Sequence, residues 1–209
     1  MAERNEGALE EHADGRRLRA EHNRDAVVQA VLSIVEEQQG GPFPGAAQVA
    51  ARAGVSERTV FRHFADLDSL FLAAAAHLSP VLATYLAPTP DAPELEQRVA
   101  AIVRLRARLY EQIAPVRRVA ALLAVSHPVM TETLSEAFRS SHEQIRTVFS
   151  PELRRSGRAK ATLLDELDLV LSWPSWEGLR SRQGCSVDRS RKIISALLTA
   201  VLSPYEVSP

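Results

Sequence analysis

The sequence contains a single cysteine, Cys185, which rules out an internal disulfide. It also has little in the way of long apolar runs. Stretches such as Val119 to Val125 are far shorter than the roughly 20 residues a membrane-spanning helix requires. The N-terminal stretch MAERNEGALEEHADGRR has no apolar segment of the signal-peptide kind. Together these absences lead to the expectation of a cytoplasmic protein with no membrane partner. Neither charge sign dominates. The formal net charge is −1, which argues against a general coat for nucleic acid. The sequence shows no glycine-rich phosphate loop, no paired catalytic carboxylates and no nucleophile–base arrangement. A binding protein without a cofactor is expected, not an enzyme.

What is present is a globular composition. Apolar residues make up 45% of 209 residues, enough for one or two domains with a sizeable core. Residues 1–19 are polar and mixed in charge, without apolar periodicity, and read as a disordered arm. Arg16, Arg17 and Arg19 in it are candidates for reaching DNA phosphates or a minor groove, against the alternative of a solvated tail. From about Arg19 to Gln39 the spacing of Val27, Val31, Ile34 and Val35 predicts a helix, which stops at Gly40-Gly41-Pro42.

The stretch QVAARAGVSERTVFRHFADLDSL, Gln48 to Leu70, reads as two short helices joined by a tight turn and followed by the start of another. Gly54 can end the first of them in a left-handed conformation that is cheap only without a Cβ. Ser56 can cap the next, with Glu57 in its first turn favoured by the helix dipole. Val49 and Ala53 share one face, as do Val60 and Phe64. Glu57, Arg58, Thr59, Arg62 and His63 are left on or near the outer side. A short helix with such a face, held steeply by the helix before it, is the shape that enters a major groove. The alternative is an ordinary helical corner with a solvated face. Between Gly15 and Phe64 seven arginines stand against five acids, a weak local excess of positive charge.

The rest of the chain also reads as helix. Asp66 can cap a helix whose apolar face holds Leu67, Leu70 and Phe71, with a break near Pro80. Ala87 to Pro93 carries three prolines and is expected to be a loop. Further helices are expected from about Pro93 to Ile113, from Pro115, from Pro128 to about Phe149, from Ala159 to Arg182 and from Val187 to Leu202. Pro151 to Gly157 should form a polar connection. The expected fold class is all-α, with about nine helices. A helix-turn-helix domain is expected over residues 20–80 and a larger effector-binding and dimerisation domain over 81–209.

With its first helix and the run from Gln48 to Phe71, A-x-x-x-G-V-S, T-V-F-x-H-F, then an acid-rich cap and L-F, the chain resembles the TetR-type transcriptional regulators over about residues 20–80. The resemblance implies a repressor that binds a double-stranded DNA operator as a homodimer and is released by a small-molecule effector. It assigns base-edge contacts to Glu57, Arg58 and Thr59. Phosphate contacts would fall to Gln48 or its neighbours, His63 and the start of the fourth helix at Leu67, with Ser56, Phe61 and Arg62 completing the expected DNA-binding set. Two positions depart from the family pattern. Phe61 stands where Tyr is frequent, and Leu67 where Lys is frequent, so Arg62 or the arginine arm is expected to carry more of the backbone grip.

In the C-terminal half, Leu163, Leu164, Leu167, Val170 and Leu171 form one apolar stripe, and Ile193, Ile194, Leu197, Leu198 and Val201 form another. A dimer interface made of Leu164, Leu167, Leu171, Ile194, Leu197, Leu198 and Val201 is expected, against the alternative of internal packing. Aromatics are only 5% of the chain, so Trp173-Pro174-Ser175-Trp176 stands out. Trp173, Trp176, Tyr110, Phe138, His142 and Phe149 are candidate walls of a ligand pocket, or plain core. His77, His127 and His142 lack metal-ligand spacing, so no metal is expected. Arg104, Arg108 and Glu111 read as a solvated or ion-paired face.

Overall fold

The computed structural model describes residues 3–86, 92–125 and 127–206, with side chains from Leu18 onward except at 79 and 86. Every regular element among them is helical, in keeping with the all-α expectation. The chain divides into two compact units. One comprises residues 1–78 with 114–123, the other 79–113 with 124–209.

The first unit begins with α1 (Glu3–Glu37). The helix starts well before the expected Arg19. Residues 3 to 19 have no apolar period, yet Glu, Ala, Leu and Arg are good helix formers and no proline interrupts them. The side chains of Arg16 and Arg17 lie outside those described. Val27, Val28, Val31, Ile34 and Val35 are buried, so the apolar stripe read from the sequence is the core face of α1. The chain then turns with Gln39 at φ 52° and Gly40 at φ 83°. A Cβ at Gly40 would meet the Arg118 side chain at 2.7 Å and the Pro115 carbonyl oxygen at 3.0 Å, so only glycine fits there. Arg118 Nη1 donates to the Gln39 carbonyl at 3.0 Å.

Around α1 pack α2 (Ala46–Ala53), α3 (Glu57–His63) and α4 (Leu67–Ala76). Their buried residues are Val49 and Ala50, Val60 and Phe64, and Leu70, Phe71 and Ala74. Phe43 sets its ring edge-on against Phe71, with centroids 5.2 Å apart. Gln29 and His77 meet at 2.9 Å, tying α1 to the end of α4.

In the second unit, α5 (Ser79–Leu86) comes first. Leu67–Tyr85 is a 19-residue stretch long and apolar enough, by composition, to cross a bilayer, and so exceeds the runs weighed above. It is broken by a turn at 77–78 and carries Asp68 and His77. The expected proline-rich loop falls mostly outside the described residues. The two helices expected on either side of Ala114 form one, α6 (Leu95–Leu123), with Pro115 inside it. Proline removes one backbone donor, but buried residues on both sides, Ile113, Val119 and Ala120, hold the helix together. The division between units falls beside this proline, after Ile113.

Next come α7 (Pro128–Val148) and α8 (Ser150–Arg155). The latter occupies the expected polar connection, because Leu153 and Glu152 are buried. The expected helix from Ala159 to Arg182 is split into α9 (Lys160–Val170), α10 (Trp173–Glu177) and a π-helical turn at Gly178–Arg182. The split comes where Ser172 caps α10 and Pro174 cannot donate backward. Finally, α11 (Val187–Leu202) packs on α9. These splits, with α5 and α8, take the described helices beyond the nine expected.

Several polar contacts fasten this unit. Arg98 pairs with Glu152 and donates to the carbonyls of Ala92 and Pro93 at 2.8 and 2.7 Å. Trp176 Nε1 and the Arg180 guanidinium both donate to Glu111, at 2.9 and 2.8 Å. Tyr110 donates its hydroxyl to the Leu171 carbonyl at 2.7 Å.

Candidate nucleic-acid interface

The turn between α2 and α3 is closed by backbone and side-chain bonds at every step. Gly54 is left-handed at φ 67° and ψ 30°, and its N–H and that of Val55 return to the Ala51 and Ala50 carbonyls at 3.4 and 3.0 Å. This is the double bond pattern of a Schellman ending, which needs a residue without strain at positive φ. Ser56 caps α3, its hydroxyl accepting the Thr59 N–H at 3.2 Å and meeting the Thr59 hydroxyl at 3.0 Å. Three residues after α3 ends, Asp66 caps α4. Its carboxylate accepts the Ser69 N–H at 2.7 Å, and the Ser69 hydroxyl accepts the Asp66 N–H at 3.2 Å. Ser69 stands where Glu or Gln completes the usual capping box, so this reciprocal cap carries no such signal in the sequence.

Val60 and Phe64 anchor α3 inside the unit. Arg24 lies over the Phe64 ring, 5.1 Å from its centroid. Glu57, Arg58, Phe61 and Arg62 are exposed, and Gln48 is exposed on α2. Neither Arg58 nor Arg62 makes a hydrogen bond or ion pair with any described residue. Arg52 on α2 differs. Both its terminal nitrogens bond Glu37 of α1 at 2.7 Å, and this bond holds the Glu37 carboxyl below its ordinary range.

Three expected contact residues are placed less favourably than the sequence implied. The Thr59 hydroxyl is already engaged with Ser56. His63 is half-buried, with Nε2 enclosed and without a partner. Burial, and then the nearby Arg62 and Arg24 charges, lower its pKa. A neutral imidazole turned inward is a poor phosphate ligand. Leu67 opens α4 beside Asp66 and Asp68, so two carboxylates already serve the helix end offered to a phosphate.

In the second unit the candidate pocket residues differ in their surroundings. Phe149 is fully buried. Tyr110 packs against Trp173 and Trp176, with centroids 5.6 and 6.4 Å apart, as core. His142 pairs through Nδ1 with Asp168, whose pKa is raised by burial. Phe138 lines an open groove of about 360 Å³, with Ala124, Thr131, Leu134, Ser135 and Arg139. Of the expected interface residues, Leu167, Leu171, Ile194 and Leu198 are buried within the chain itself and offer no area to a partner. Leu197 is 49% exposed, and Leu164 and Val201 are half-buried.

No family model matches the chain, and no curated protein is similar to it. Among solved structures, the chain is similar to a crystal structure described as that of a "putative TetR-family transcriptional regulator" from Mesorhizobium loti. The TM-score is 0.63 at 19% identity, over 90% of this chain and 99% of that one. The two proteins share the same all-helical fold.

Proposed function

We propose that the chain is a sequence-specific regulator of transcription that binds a double-stranded DNA operator as a homodimer. In this reading α3 lies in the major groove and Arg58 donates two bonds to a guanine edge. Arg62, Gln48 and backbone amides position the helix on phosphates. The observation that carries the reading is the outer face of α3. Its two arginines make no hydrogen bond or ion pair with any described residue, on a helix whose N-terminus is capped by Ser56. A helix-turn-helix serving only as scaffold would not need to keep those cations free. The shared fold is consistent with this role.

The finer parts of the proposal are repression, effector release and dimerisation. Leu164, Leu197 and Val201 keep enough exposure to extend a two-fold contact. The groove at Phe138 suits a small apolar or amphipathic effector. The protein acts in the cytoplasm, without a catalytic step.

The test is selection of duplex sites from a random library by the full chain, followed by binding titrations across a salt series. A specific complex is expected, and Arg58→Ala should weaken it by about tenfold or more while sparing non-specific binding. Absence of a specific complex, or unchanged binding by Arg58→Ala, overturns the reading.

A further inference from the structure

Among the exposed residues of α3, one is out of character for a solvated helix. Phe61 is 48% exposed, whereas the neighbouring apolar residues Val60 and Phe64 are buried. Successive residues turn by about 100°, so Arg58 and Arg62 occupy the middle of the outer face, with Glu57 and Phe61 along one flank and Thr59 and His63 along the other. The second flank is spent internally, since the Thr59 hydroxyl bonds Ser56 and His63 Nε2 is enclosed. The first flank therefore has an apolar ring to present, one turn along from Arg58.

We infer that Phe61 reads sequence by packing on the 5-methyl group of thymine, beside the base contacted by Arg58. The inference rests on the DNA-binding reading above. Phe61 has no polar atom with which to bond a phosphate. On the major-groove edges of the four base pairs, the thymine methyl is the one apolar group that distinguishes a base. An aromatic ring next to two cations is thereby delivered to the groove by their attraction to phosphate, and it gains energy only where a methyl group meets it. The operator half-site is consequently expected to carry a thymine next to the guanine read by Arg58.

The experiment uses the full-length protein and its selected sites, with deoxyuridine replacing thymine at one position at a time. Uracil pairs as thymine does but lacks the methyl. One position per half-site should weaken the parent about fourfold, the equivalent of one buried methyl-sized group. Phe61→Ala should bind the thymine and uracil sites equally, and Phe61→Leu should keep part of the difference. Tolerance of uracil at every position, or an equal penalty in Phe61→Ala, overturns the inference and leaves specific DNA binding intact. A fall in melting temperature for Phe61→Ala beyond that of an ordinary surface substitution would make Phe61 a packing residue and overturns it as well. Failure to select any specific site overturns both readings.

Discussion

The exposed arginines of α3 in the first unit and the bonded arginines of the second are used in opposite ways. In the second unit Arg98 is enclosed with Glu152 and two backbone carbonyls, and Arg180 grips Glu111 while donating to the Cys185 carbonyl at 2.5 Å. Arg106 is buried, donates to the Ser141 hydroxyl at 2.8 Å, and has its pKa lowered by that burial. On α3, Arg58 and Arg62 make no hydrogen bond or ion pair with any described residue. A buried cation must be satisfied inside the chain, because leaving it unpaired is costly. A solvated cation has no such need, and its partner can come from outside. The difference separates arginines that hold helices together from arginines available for recognition.

That contrast can be broken experimentally. Arg98→Ala leaves Glu152 buried without its cation and should cost about 3–5 kcal/mol of stability, measured by urea unfolding. Replacing both partners together, Arg98→Met with Glu152→Leu, should recover most of the loss. Gly54→Ala keeps all charges but forces a Cβ into the left-handed region, at a cost of about 1–2 kcal/mol, with binding reduced through the position of α3. Arg58→Ala should change stability by less than about 0.5 kcal/mol even though binding fails, which is the mark of a cation not used by the fold.

The smallest effect concerns His63. Its folded pKa lies below the ordinary 6.5, so folding favours the neutral ring. Its contribution to stability is complete above the ordinary value and is lost as pH falls through the lowered one. Stability should therefore decline as pH falls below the ordinary 6.5, with a shallower decline in His63→Gln, read from urea melts at each pH.

How much was legible in the sequence follows the range of the interactions. The α2–α3 turn could be read because Gly54, Ser56 and Glu57 act on atoms within a few residues of themselves. The apolar face of α1 could be read for the same reason. The start of α1 was missed because residues 3 to 19 form a helix without any apolar periodicity to reveal it. Leu167, Leu171, Ile194 and Leu198, expected at an interface, are buried within the chain, because a stripe at helical spacing does not say what covers it, and here α9 packs against α11, α7 and α8. Glu111 was grouped with Arg104 and Arg108 by spacing, but it bonds Arg180 and Trp176, 69 and 65 residues away. No local pattern encodes such a pair. His63 illustrates the same limit, since its helical position implied exposure and packing enclosed one ring nitrogen.

The turn at Gly54 to Ser56 has a kinetic consequence. All the bonds that close it join residues at most five apart in the chain. Contacts of such short range need little loop closure and form quickly. Single-turn helical openings relax on a timescale of about a microsecond or less. Displaced by thermal motion, α3 would return to register on that timescale, which under the proposed function is far faster than a protein typically leaves its site on DNA.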